Sequence, residues 1–280
     1  MHDVFFFTDI HGMYPLYKAI MDYCLEQDPE CSIIYGGDAI DRGKDGYKIM
    51  TELLDNPQVL YLMGNHEDMF TKAARKIKEC FHLEGQPREE VQETLYWCQS
   101  YDYKYEPIRL SLYNGGLATL TDWATAGMSM DIVERIEHLP YTFSYYDYDF
   151  CHSAGVYNTF KRVADAEYDG NKPDDYDIEA LLWSRSSLDI GWESDRTAVF
   201  GHTPVIYLPE YTDLDFPKEM KPQPVKYVSD KIPRFSGAKL DMDVCSIATK
   251  RAFVLNAVTK CIQGFAIENG QVKKIDYIQA

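Results

Sequence analysis

The run Ile33-Ile34-Tyr35-Gly36-Gly37-Asp38-Ala39-Ile40-Asp41-Arg42-Gly43 joins a short apolar stretch to a glycine turn, and then to two acids and an arginine. The same pattern stands on both sides of it. Val4–Phe7 leads into Thr8-Asp9-Ile10-His11-Gly12, and Val59–Met63 leads into Gly64-Asn65-His66-Glu67. Apolar runs this short read as strands inside a parallel sheet. Helical stretches at about 13–27, 44–54 and 67–80 lie between and after them, so residues 1–80 read as β-α-β-α-β-α with right-handed crossovers. In an open α/β arrangement the residues just past the strands' C-terminal ends gather at one sheet edge, where sites form.

From about 81 to 147 the chain turns aromatic-rich and mostly helical, which reads as an insertion or cap with a turn at Asn114-Gly115-Gly116. Strand signals return at Asp149–His152, Ala198–Gly201, Lys239–Val244, Ala252–Asn256 and Gln263–Ile267. The acidic stretch Ala164–Asp177 and the proline-punctuated stretch Leu208–Pro233 read as surface loops. The expectation is one domain over residues 1–280 that carries this insertion.

The strand ends deliver metal-binding chemistry. Asp-x-His in an extended segment sets both side chains on one side, so Asp9 and His11 are expected to reach one ion together. Asp38 has two oxygens and can bridge two cations, and Asn65 offers a neutral oxygen to the second. His152 and His202 each end a strand and are followed by small or turn-forming residues. The set divides into Asp9, His11 and Asp38 for one ion, and Asp38, Asn65, His152 and His202 for the other. Mixed nitrogen and oxygen ligands suit manganese, iron or zinc better than magnesium or calcium. Two such ions, roughly 3.5–4 Å apart, can clamp a displacement at phosphorus. Taken alone, Asn65 would serve equally as the N-cap of the next helix, and Glu67 reads as that helix's first-turn acid. His2, His82 and His138 have no comparable context.

The whole chain limits the partners. Its 280 residues carry 45 acidic against 28 basic side chains, a formal charge of −17. That balance repels a phosphate backbone, so no nucleic-acid partner is expected. An anionic substrate would need metal ions and local arginines to draw it in. The seven cysteines form no C-x-x-C pair and read as reduced thiols. The first strand starts within four residues of Met1, leaving no room for a signal peptide, and no apolar stretch nears the roughly 20 residues that span a bilayer. A cytoplasmic protein without a membrane partner is expected.

Asp-x-His-Gly, Gly-Asp-x-x-Asp-Arg-Gly and Gly-Asn-His-Glu, in this order, resemble the calcineurin-like metallophosphoesterases. His152, Leu181-Leu182-Trp183-Ser184-Arg185 and Gly201-His202-Thr203 extend the likeness, and Asn114-Gly115-Gly116 with Thr119 looks like an element of bacterial members. More narrowly, the set is similar to the phosphoprotein phosphatase branch in its bacterial and phage form. There are departures. Thr8 stands where the family usually has Gly, Ser153-Ala154 replaces a usual glycine, and Asp243-Val244-Cys245 takes the place of a frequent Asp-Thr-Gly.

The resemblance implies an α/β β-sandwich, with two mixed sheets flanked by helices and a mostly helical insertion. It implies hydrolysis in which a hydroxide held between two divalent ions, manganese by first choice, attacks phosphorus. His66 would protonate the leaving alkoxide and Asp41 would orient His66, while Arg42, Arg185 and the ligand Asn65 would hold phosphate oxygens. The expected substrate is a phosphorylated protein or a small phosphoester, with serine/threonine protein phosphatase as the leading activity. Hydrolysis of dinucleoside polyphosphates on the same site is the alternative, followed by a non-catalytic binding protein on a phosphatase scaffold.

Overall fold

Val4 and Phe6 point to one side of the first strand and Phe5 and Phe7 to the other, and each pair enters a different core. A computed structural model describes residues 2–99, 105–153, 155–185, 192–205, 234–236 and 239–279. The chain opens with β1 (Val4–Phe7), α1 (Tyr14–Gln27), β2 (Ser32–Tyr35), α2 (Gly46–Asp55), β3 (Val59–Tyr61) and α3 (Asn65–Cys80), which is the expected alternation. These three strands pair in parallel. Four helices follow, α4 (Arg88–Gln99), α5 (Glu106–Tyr113), α6 (Leu117–Thr125) and α7 (Met130–Glu137). They form the expected helical stretch, and α5 and α7 pack against α3.

The remaining elements are β4 (Thr142–Tyr145), β5 (Tyr148–Cys151), α8 (Tyr157–Tyr168), α9 (Asp175–Trp183), β6 (Thr197–Phe200), β7 (Arg234–Ser236), β8 (Lys239–Asp241), α10 (Ser246–Thr249), β9 (Arg251–Asn256), β10 (Cys261–Glu268) and β11 (Gln271–Gln279). One mixed sheet runs β11-β10-β9-β1-β2-β3 and the other β4-β5-β6-β8-β7. Between them lies a core that includes Phe6, Ile34, Leu62, Phe150, Val199, Leu240 and Leu255. Phe6 and Phe150 stack across the two sheets with ring centroids 5.0 Å apart. On the outer face of the first sheet, Phe5, Phe7, Ile33 and Tyr35 pack under α1 to α3 and with buried residues of α4 to α7. On the outer face of the second, Cys151, Ala198 and Phe200 meet Phe160 and Val163 of α8 and Leu181 of α9. Period-two alternation thus builds two mixed sheets flanked by helices, as the resemblance implied.

Three expectations change. The stretch Ala164–Asp177 is not a loop, because its ends belong to α8 and α9. Asp165, Asp169, Asp174 and Asp175 are exposed, while Glu167 accepts from Tyr141 N (2.6 Å) and the buried Asp177 accepts two bonds from Arg162, at 2.7 and 2.5 Å. Acids in the first turn of α9 also suit its N-terminus. The strand expected over Lys239–Val244 ends at Asp241, and the following residues turn toward the site. Finally, β4 and β11 went unforeseen; each is the partner of a hairpin whose other strand carried the stronger apolar signal. The stretch Leu208–Pro233 lies outside the described residues.

Candidate metal centre

The loops after β1 and β2 stay paired beyond the strands. Asp9 N donates to Gly37 O (3.1 Å), His11 N to Asp38 O (3.0 Å) and Gly12 N to Ala39 O (2.8 Å). Asp9, His11, Asp38, Asp41, Arg42 and His202 all have positive φ, between 44° and 69°. Asp9 and His11 therefore do not share a side by strand alternation, as their spacing suggested. Left-handed turns aim them, and the inter-loop hydrogen bonds hold a backbone that L residues otherwise avoid. Glycine is needed beside them. Gly37 has φ +92°, and a Cβ there would lie 2.6 Å from Gly64 Cα.

Glu67 fixes the Asp38 loop. It is fully buried in the first turn of α3, and its carboxylate accepts from Asp38 N (2.8 Å), Ala39 N (2.9 Å) and the Tyr61 hydroxyl (2.7 Å). This is more than the helix-end acid that the sequence suggested. Nor is Asn65 the N-cap; Gly64 takes that position and Asn65 begins the helix with its side chain in the site. Other supports come from far along the chain. Thr119 Oγ1 accepts from Asp41 N (3.1 Å), Gly115 O accepts from Arg42 N (3.0 Å), and Ser246 Oγ donates to Asp9 O (2.6 Å). Of these only Thr119 and Gly115 had a sequence signal, the motif in which they sit; Ser246 had none.

Four loops converge. Asp38 Oδ2 lies 3.6 Å from His11 Nε2, while its Oδ1 lies 3.3 Å from His152 Nε2. Asn65 Oδ1 stands 2.8 Å from His152 Nε2 and 2.9 Å from His202 Nδ1. The donor atoms fall into two buried groups, each within 4.8 Å: His11, Asp38 and His66, and Asp38, His152 and His202. Asp38 belongs to both, as a bridging carboxylate would. Asp9 sits at the margin of the first group, with Oδ1 4.0 Å from His11 Nε2, and its carboxylate accepts from Thr8 Oγ1 (2.6 Å) and His202 N (3.1 Å). His66 gives Nδ1 to Asp41 Oδ2 at 2.8 Å. Arg42, on the solvent side, reaches His11 Nε2 (2.8 Å) and His66 Nε2 (3.1 Å). Arg185 is exposed beyond Trp183, and its charge acts on His152 and His202.

The donor set fits divalent cations. His11 donates Nδ1–H to Ile40 O and His152 donates Nδ1–H to Gly36 O, each at 2.9 Å, so both present a lone pair at Nε2. Burial lowers the pKa of His11, His152 and His202, that of His152 to about 3, which leaves the rings neutral. Burial and neighbouring carboxylates hold Asp9 well above its usual pKa, and burial with Glu67 does the same to Asp38. Neutral imidazole lone pairs thus crowd the oxygens of Asp38, whose carboxyl burial holds toward its protonated form. A cation resolves that arrangement.

A family profile described as calcineurin-like phosphoesterase matches residues 2–228. None of the curated proteins compared with the chain matches it. Among solved structures, a mutant cold-active protein tyrosine phosphatase superposes with a TM-score of 0.50 at 13% identity, covering 99% of this chain and 81% of that one. A proposed diadenosine tetraphosphatase gives 0.48 at 13% identity, over 98% of this chain and 93% of its own. A protein serine/threonine phosphatase from Saccharomyces cerevisiae gives 0.45 at 13% identity, over 100% and 81%. At these identities the likeness is one of fold.

Proposed function

The chain belongs to the calcineurin-like phosphoesterases, and from that premise we propose that it is a metal-dependent phosphomonoester hydrolase acting on phosphoserine and phosphothreonine in proteins, as the phosphoprotein phosphatase branch does. Asp9, His11 and Asp38 would hold one divalent ion, and Asp38, Asn65, His152 and His202 the second, with manganese as the activating metal. Bound there, the ions supply Lewis-acid polarisation of the phosphoryl group and activation of the attacking water.

The chain's own groups do the rest. Arg42 offers a planar fork to two phosphate oxygens, and Arg185 and Asn65 supply further donors to them. Asp41 fixes the His66 ring so that Nε2 faces the reacting bond. From that atom His66 hands a proton to the departing alkoxide. The observation that carries the reading is Arg42: its guanidinium lies between His11 Nε2 and His66 Nε2, where a terminal phosphate would meet ligand and acid together.

The test is steady-state hydrolysis of phosphoserine and phosphothreonine peptides beside diadenosine tetraphosphate, with manganese and with a chelator control. Metal-dependent phosphate release with the peptide preferred in kcat/KM is the expected result. Preference for the dinucleotide would transfer the same site to polyphosphate hydrolysis. Activity on neither would overturn the proposed substrate.

A further inference from the structure

One acid beside the centre has no task in the scheme above. Asp243 follows β8 and is 2% exposed. Its Oδ1 accepts from Cys245 N (2.7 Å), its amide donates to Asp241 Oδ1 (3.0 Å), and its carbonyl accepts from Val205 N (2.9 Å). Its Oδ2 is buried and has no hydrogen-bond partner among the described residues. The segment then turns through Cys245, at φ +56°, and Ser246 fastens it to the carbonyls of Asp9 and Ile10 at 2.6 and 3.2 Å.

These ties bring the Asp243 segment against the Asp9 loop. Among charged groups Asp243 acts on Asp9 most strongly, ahead of Asp38, and it also acts on Asp38. The cationic groups that act on it are Arg42, Arg185 and His66. An unpartnered carboxylate oxygen buried beside two further carboxylates is destabilising unless positive charge meets it.

We propose that Asp243 belongs to the cation cradle: its free Oδ2 faces the divalent ion held by Asp9 and His11 and tightens that ion's binding. The inference rests on the metal-dependent reading above. In that scheme this ion has one protein ligand fewer than its neighbour, and Asp243 adds negative charge on the poorer side. Sequence alone marked Asp243-Val244-Cys245 only as a departure near the site.

Asp243→Asn tests it, since the amide keeps an oxygen for Cys245 N and replaces the anionic Oδ2 with a neutral NH2 that cannot ligate a cation. Chelator-stripped protein is titrated with manganese by calorimetry and melted with and without the metal. Wild type should take two ions, and the variant should lose about tenfold or more in affinity for one of them. The metal-free variant should melt no lower than metal-free wild type, so its manganese-induced rise in Tm shrinks. A merely structural role would instead lower both melting curves together. Unchanged affinity for both ions in a variant with native circular dichroism would overturn the proposal, and Asp243→Ser provides the same comparison should the amide not fold. Wild type that takes up no manganese would sink the metal-dependent reading itself, and this inference with it.

Discussion

His66 stands at the meeting of two roles. Its Nε2 is 3.7 Å from Asp38 Oδ2, near enough to join the first donor group, yet its Nδ1 is held by Asp41 as a proton donor's would be. His66→Asn separates them. As the acid it should lose about 10²- to 10⁴-fold in kcat on an alkyl phosphate with manganese affinity intact; a fall in affinity instead would make it a ligand. Protons also compete with the ions. Asp9 and Asp38 have raised pKa values in the metal-free protein, so they retain protons at a pH where free carboxyls have lost them. Binding a cation must expel those protons, and apparent affinity should therefore fall as pH is lowered through that range. Calorimetry in buffers of different ionisation enthalpy should register proton release on manganese binding; none would contradict the raised carboxyls.

At the scale of elements, α3 is a brace as much as a core helix. Phe70, Ala73, Ala74 and Ile77 bury one face of it, and Glu67 in its first turn pins the Asp38 loop by two backbone amides. Glu67→Gln would leave one of those buried N–H groups facing another donor, at a cost of about 1–3 kcal/mol. Urea denaturation should show that loss, together with weaker manganese binding as Asp38 relaxes from its left-handed backbone. Normal metal affinity in a destabilised variant would mean that Glu67 supports the fold alone. Gly-Asn-His-Glu was legible in the chain as a strand-end motif. The reach of Glu67 across to the next strand's loop was not, because nothing local records which loop lies opposite.

At the scale of the whole molecule, the centre hangs from two sheets. Asp9, His11 and Asp38 come from the first, and His152 and His202 from the second. The interior that joins them includes the Phe6–Phe150 stack. Phe6→Ala should lower stability by about 3–5 kcal/mol, the usual cost of emptying such a site. If ions held as proposed bind only the folded state, saturating manganese should raise the stability of wild type and of Phe6→Ala alike. No rise in the stability of either protein with manganese would contradict that scheme. No described helix is long and apolar enough to cross a membrane.

The first three strands, their alternation with helices, and the residue types at each strand's end are legible in the chain. These are local properties: an apolar run, a glycine turn and a polar residue all lie within one short stretch of chain. Which atoms meet follows from how the two sheets pack. Asp38 turns one oxygen toward His11 and the other toward His152, 114 residues away, because the two sheets stack with their loop ends together. Tertiary structure likewise aimed Asp9 and His11 by left-handed turns rather than by strand alternation, and brought Asp243 and Ser246 from the far end of the chain. Distances across a core follow from packing, and no spacing along the chain encodes them.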